Sequence, residues 1–450
     1  MASPALVDDA PRPDGGLPLE EIERSAFLLL TCVLTLLAFG VVMVFSAAAI
    51  ETAELGGSPW RPLLAHGAKV AIGLTLLIVV SRQPPTRLLR FAKPFYFLSL
   101  LLLALVLVPG IGVESNGSQR WMNTETLIGF ALQPSEIAKL ALVLAIAAYV
   151  AKVDDLGASF TRTFLPAAAM VVAPAALILL ETDFGTSLLL SVLGFLLLML
   201  AGARVRHLLL LAATAGPIGA LFLWLNPDTQ YIFRRLGAFA DHHFGEAAVA
   251  SGLPTQVDFA ESALRVGGLT GVGIGAGRHK LFFLAEGEND FILANIGEEL
   301  GFIGTTSVLL LFALLLWSGR RVLLGLRHRF GFFVVAGVLL TIAIQALMNV
   351  FVAVRWAPVK GIPLPFVSSG GSSLTLLCLG VGAALACARR PRATELELGP
   401  EEESVAMPDE RPVVRAAEGV GAASAVAGSG GEADEELALD EWRQGAGANP

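Results

Sequence analysis

Charge is scarce in this sequence. Only 16% of its 450 residues are Asp, Glu, Lys or Arg, against 55% apolar side chains, and a mean hydropathy of +0.70 excludes an ordinary water-soluble enzyme. A basic excess is also missing. The 31 Lys+Arg against 39 Asp+Glu leave a net charge of -8, which excludes a basic nucleic-acid binder. Cysteine is nearly absent: Cys32, Cys378 and Cys387 all lie in apolar runs. Their spacing fits neither a metal site nor a disulfide framework, so they read as small core hydrophobes. Walker and zincin motifs are lacking, as is a repeat of solenoid length.

What is present is a series of long apolar runs. A bilayer core about 30 Å thick needs roughly 20 apolar residues per helix. Runs of that kind fall near 26–48, 63–81, 94–109, 135–151, 164–181, 184–202, 206–225, 291–317, 331–353 and 369–388. The predicted fold is therefore all-α and polytopic, with about ten transmembrane helices in a domain over 25–390. The first run is too long for a cleaved signal. It is also preceded by Asp8, Asp9, Glu20, Glu21 and Glu23 where a signal carries positive charge. It is expected to stay as an anchor.

Basic residues set the orientation. Arg82, Arg87, Arg90 and Lys93, then Arg204 and Arg206, then Arg320, Arg321, Arg327 and Arg329, then Arg389, Arg390 and Arg392 fall on one side. The positive-inside rule makes that side the cytoplasm and places both termini there. A segment over 226–290, between helices seven and eight, becomes a large extracytoplasmic loop, and loops of such length are usually functional. Residues 1–24, with Pro4, Pro11 and Pro13, and the acidic tail 391–450, with Glu401, Glu402 and Glu403, have the composition of disordered cytoplasmic chain.

Ionisable groups at membrane depth are costly and mark either function or structural ion pairs. Glu136 and Lys139 are three residues apart, hence on one helix face and able to pair. Pro134 and Ser135 suit a helix start. Asp183 stands in a tight turn where it would cap the next helix. His66 and Lys69, one turn apart without a motif around them, read as structural. The glycines from Gly271 to Gly277, followed by Arg278, His279 and Lys280, could bring backbone N–H groups to an anion or form a flexible loop. Asp290 stands where the long segment becomes a helix, with Glu286 four residues earlier. At the membrane surface it could serve as a general base or as a helix cap. Glu298 and Glu299 would lie about 12 Å deeper, in another layer. The stretch from Pro358 through Lys360, Gly361, Pro363, Pro365 and Ser368 to Gly371, Ser372 and Ser373 cannot be one continuous helix. Irregular backbone near a membrane needs shelter from protein or a wet cavity. A helix start rich in hydroxyls, with Lys360 nearby, suits a pyrophosphate.

These motifs, in this order, resemble the SEDS family of bacterial cell-wall glycan polymerases, whose members include RodA and FtsW. The resemblance is carried by Arg120-Trp121, Gln133-Pro134-Ser135-Glu136 and Asp183-Phe184-Gly185-Thr186. It continues through Asp290-Phe291-Ile292, Gly297-Glu298-Glu299-Leu300-Gly301-Phe302 and Gly361-Ile362-Pro363-Leu364-Pro365-Phe366, then Ser368 and Gly370-Gly371-Ser372-Ser373. Met43-Val44-Phe45-Ser46-Ala47 and Asn116-Gly117 look more like FtsW, the division branch, than RodA. The sequence departs from the family pattern at Thr182, Ala285, Glu288-Asn289 and Ser369, and none of these removes a proposed proton-transfer or charge-bearing group.

The resemblance implies a peptidoglycan glycosyltransferase of the bacterial inner membrane. It would join lipid II disaccharide units with inversion, release undecaprenyl pyrophosphate, and work beside a class B penicillin-binding protein and other divisome or elongasome proteins. It implies Asp290 as the catalytic base. Lys360, Arg120, Glu286, Arg278, Glu136, Ser368 and Ser372 are the candidate substrate-binding residues, and Asp183, Lys139 and Glu298 the candidate structural or capping ones. No cofactor is required by the sequence, and whether a divalent cation bridges carboxylates and pyrophosphate stays open. Alternatives are a lipid II flippase or transporter using Glu136, Lys139, Glu298 and Glu299 along a path, an elongation polymerase of the RodA type, and a scaffold for division proteins.

Overall fold

The computed structural model describes residues 17–54, 56–115, 118–122, 131–226, 256–279, 289–358 and 361–390, with Thr124, Thr229, Phe233 and Gly237 between them. All belong to one compact unit, 1–400, and the second unit, 401–450, lies outside the described residues. So does the whole tail expected to be disordered.

The chain order is α1 (Leu19–Glu54), α2 (Arg61–Ser81), α3 (Pro85–Val106), a hairpin of β1 (Gly112–Ser115) and β2 (Ser118–Met122), then α4 (Pro134–Val150). A π-helical turn (Phe160–Phe164) leads into α5 (Leu165–Leu180). There follow α6 (Phe184–Leu200), α7 (Val205–Leu225), α8 (Gln256–Gly267), α9 (Ile292–Gly325), α10 (Arg329–Ala353) and α11 (Gly371–Ala388). Among the described residues eight helices are long and apolar enough to cross a membrane. The 17-residue helices α4 and α6 add about 25 Å each. The fold is the all-α polytopic arrangement expected from hydropathy.

Burial follows composition. Beyond Lys139, α4 is apolar on every side and is buried nearly throughout, as a helix without a polar face must be. It packs against α3, α5, α6, α10 and α11. The other inner helix, α11, lies against α2, where a Cβ on Gly382 would stand 2.7 Å from the Leu77 carbonyl oxygen. Small residues of this kind let helix backbones approach closely. Among the described residues the helix α7 packs mainly against α5 and α6 and leaves most of its apolar surface outward.

Several boundaries differ from expectation for physical reasons. Residues 19–24, expected to be disordered, are the first turns of α1. Glu20 and Glu21 favour that helix terminus, and Glu21 accepts a hydrogen bond from Arg321 at 3.1 Å. The third helix begins at Pro85 rather than near 94. Proline is tolerated at a first turn, and exposed Arg87, Arg90 and Lys93 extend a helix past the hydrocarbon while keeping their heads wet. The start of α4 is as expected, with Pro134 opening the helix and Glu136 in its first turn, and Gln133 is the N-cap, without a side-chain bond.

The largest difference lies in the long segment between α7 and α9. Its described part is neither a featureless nor a flexible loop. The helix α9 breaks at Gly301 (φ 68°, ψ -162°), and residues 267–273 fill the break. The amides of Val272 and Gly273 donate to the carbonyls of Glu298 and Glu299, each at 3.0 Å, and Phe302 and Ile303 donate back to Gly268 (2.8 Å) and Leu269 (3.1 Å). The backbone groups freed by the kink are thus paired within the protein, as a low-dielectric setting demands. At Gly271 (φ 76°) a Cβ would lie 2.1 Å from the Glu299 carbonyl oxygen, so only glycine fits.

Candidate functional site

The turn at Asn289 and Asp290 precedes α9 and is half-buried. Asp290 does not cap the helix: the N-cap is Phe291, with no side-chain capping bond. The turn is instead tied to the loop before α11. The Asn349 amide nitrogen donates to the Asp290 carbonyl and to the Ile362 carbonyl, both at 3.0 Å. Ser368 Oγ donates to the Asn289 carbonyl at 2.7 Å and accepts from the Leu364 amide at 2.8 Å. These bonds bring the carboxylate of Asp290 against Gly361, where a Cβ would stand 3.3 Å from its Oδ2.

The loop over 361–370 is rigid because it is sheltered. Ile362 and the run from Leu364 to Ser369 are buried. Phe366 holds a left-handed φ of 63°, a strain that persists only where surroundings enforce it. The enforcing surface includes α1: a Cβ on Gly40 would fall 2.7 Å from the Phe366 carbonyl oxygen. Lys69, left as structural from the sequence, donates to the Ser369 carbonyl at 3.2 Å. Ser372 is buried in the first turn of α11.

A second layer lies two turns along α9. Glu298 and Glu299 are buried yet satisfied. Glu299 accepts from Ser46 Oγ of α1 at 2.7 Å and from the Gly275 amide at 3.0 Å. Glu298 accepts from the Arg278 amide at 2.7 Å and lies 2.9 Å from His279 Nδ1. Backbone amides of the glycine segment therefore do meet an anion, but it is the protein's own. Arg278, expected at the substrate, is pinned through its backbone to Glu298 while its side chain stays exposed.

Glu136 and Lys139 form a buried ion pair at 2.7 Å beside a small cavity of about 20 Å³ between α4, α10 and α11, lined also by Thr341 and Gly380. Asp183 is the N-cap of α6, accepting from the Thr186 amide at 3.0 Å and its hydroxyl at 2.8 Å. Gln133 reaches the same carboxylate at 3.3 Å and Arg120, on β2, at 3.8 Å. Arg120 therefore joins the turn between α5 and α6.

In that turn Glu181 is 2% exposed. Burial, reinforced by the Asp183 carboxylate and opposed by Arg120, pushes its carboxyl up to about 9. A raised carboxyl pKa means that the folded protein holds the proton more tightly than the unfolded one. The contribution to stability is full below about pH 4.5 and declines as pH climbs towards 9, by roughly 1.4 kcal/mol per pH unit at most. Glu181→Gln copies the protonated form and cannot ionise. Its melting temperature in detergent is expected to match wild type at pH 5 and to exceed it at pH 8. Parallel pH profiles for the two proteins would refute this.

Lys360 and Glu286 lie outside the described residues. Among the described residues no group of three or more His, Cys, Asp or Glu side chains could hold a metal ion. Sequence reasoning missed Asn349 and Glu181. For Asn349 there was a usable signal, an amide that with Gln345 one turn earlier interrupts a largely apolar helix.

Comparison with known proteins bears on this arrangement. The FtsW/RodA/SpoVE model, described as a cell cycle protein, matches residues 26–392. The chain is 36% identical to stage V sporulation protein E of Bacillus subtilis over 81% of its length and 97% of that protein's. It is 35% identical to "Probable peptidoglycan glycosyltransferase FtsW" of Geobacter metallireducens, over 84% and 98%. Among solved structures, the rod shape determining protein RodA of Thermus thermophilus matches at 26% identity with a TM-score of 0.56, over 81% and 97%. A chain of a peptidoglycan synthase complex that coordinates polymerization and crosslinking matches at 27% with a TM-score of 0.61, over 81% and 98%.

Proposed function

This chain belongs to the FtsW/RodA/SpoVE family, and from that premise we propose how it works as a multi-pass membrane peptidoglycan glycosyltransferase of the FtsW type. The substrate is lipid II, the disaccharide-peptide carried on undecaprenyl pyrophosphate. The reaction runs on the outer face of the bacterial inner membrane, with both termini cytoplasmic as the basic loops indicate, and serves septal wall synthesis during division. The partner is a class B penicillin-binding protein, which crosslinks the strands.

The observation that carries the reading is the placement of Asp290. Its turn is tied through backbone carbonyls to the 361–368 loop by Asn349 and Ser368, which sets the carboxylate beside Gly361. Asp290 accepts the proton of the acceptor's 4-hydroxyl as that oxygen attacks the anomeric carbon of the donor. The α-linked pyrophosphate departs from the opposite face, giving the inverted β-1,4 bond. A pyrophosphate held by cations is already a good leaving anion and needs no protonated general acid. Lys360 supplies that positive charge. The division role rests on the FtsW-like sequence features and on relatives bearing that name.

Purified protein, assayed with and without its transpeptidase, is expected to lengthen glycan from lipid II in detergent, where no second compartment exists. Glycan products are resolved by size on gels. Transbilayer movement of lipid II in vesicles without any chain growth in detergent would overturn the polymerase reading in favour of transport.

A further inference from the structure

Arg355 follows the last turn of α10 with a φ of 67°, a conformation that costs free energy for any residue with a Cβ and that glycine adopts freely. Its guanidinium shows what offsets that cost. Nη1 lies 2.7 Å from Asp258 Oδ1 and 3.1 Å from Glu261 Oε2, two carboxylates one turn apart on α8, and Glu261 is also held by Arg265 at 2.6 Å. Exposed pairs of this kind contribute little when isolated. Here, however, Arg355 is three-quarters buried and bridges both acids at once.

The clamped helix is the wall of the Asp290 turn. Val257, Ala260 and Ala263 on α8 cluster with Phe291, which directly follows Asp290, with Ala294 one turn further along, and with Val352 of α10. The middle of α8 has a second tie beside the clamp, where Ser262, next to Glu261, meets His279 (3.1 Å), which in turn lies against Glu298. Strained backbone concentrates where geometry matters to function. We propose that Arg355 is a positioning residue for the glycosyl transfer. Its left-handed backbone aims one guanidinium at both Asp258 and Glu261, which presses α8 onto Phe291 and so fixes the pose of the Asp290 carboxylate. This role rests on the reading of Asp290 as the base.

The clamp acts on the pose of a reacting group and not on substrate contact, so its loss should appear in kcat and not in KM. Arg355→Gly is the clean variant, because glycine accepts the φ and removes only the clamp. In lipid II polymerisation by the full-length protein, kcat is expected to fall about tenfold or more, towards the hundredfold that a displacement of about 1 Å costs, with KM within about twofold. Arg355→Lys, which keeps a charge that one nitrogen can share between the two acids but on a shorter stem, should recover part of the loss. The double variant Asp258→Asn with Glu261→Gln should reproduce the loss, and adding Arg355→Gly to it should lower kcat no further, since the same interaction is removed. Because those two substitutions are isosteric, they test the clamp even where Arg355→Gly fails to fold. Unchanged kcat in a polymerising Arg355→Gly protein, a loss confined to KM, or additive losses would each overturn the clamp alone. A wild-type protein that makes no glycan would overturn the proposed function beneath it.

Discussion

Replacing Asp290 with alanine is expected to lower the rate of glycan polymerisation by about 10² to 10⁴, the range that removal of a general base brings, while leaving the fold intact. The structural grounds for an intact fold are specific. Asn349 and Ser368 bind the turn through the carbonyls of Asp290 and Asn289, so the ties do not use the Asp290 carboxylate. Nor is that carboxylate the N-cap of α9. Asp290→Asn should be equally inactive, because an amide keeps the shape and loses the basicity. Rates from purified, monodisperse proteins, set beside their melting curves, provide the check. An Asp290→Ala protein that polymerises at the wild-type rate would end the assignment.

The second large effect is expected at Asn349. One buried amide nitrogen serves two carbonyls, one on each of the segments that meet at the site. Asn349→Leu fills similar volume but orphans both acceptors, at about 1–3 kcal/mol for each buried group left unpaired. The turn and the 361–368 loop then lose their common tie. A fall of about 10 to 100-fold in polymerisation is expected, since small displacements of positioned groups carry costs of that size. A lower melting temperature should accompany it. Ser368→Ala should show the same pattern more weakly, because Ser368 Oγ bridges Asn289 and Leu364. Wild-type rates and melting in Asn349→Leu would show that the tie is dispensable.

Legibility from sequence varied by the kind of interaction. The Glu136–Lys139 pair and the Asp183 cap lie three residues from their partners in the chain, and spacing on one helix turn is a local property. The glycine segment was half legible. Its amides do serve an anion, but the sequence offered an external phosphate and the fold supplied Glu298 and Glu299, about twenty positions further on. Ser46 of α1 reaches Glu299 across 253 residues, and nothing local marks that pairing. Helix ends were the weakest reading. Hydropathy falls where charged stems begin, although those stems can extend a helix into the headgroup region, as at Pro85 and Leu19.

By itself the sequence determined which apolar runs become the long helices among the described residues, because each such run must pair its own backbone hydrogen bonds in hydrocarbon. It also determined the family, because the motifs occur in order. Tertiary structure alone decided which carbonyl Asn349 holds, what closes the break at Gly301, and where Arg355 finds its two acids. Those contacts join residues from about ten to about a hundred positions apart, and their geometry exists only once the helices are packed.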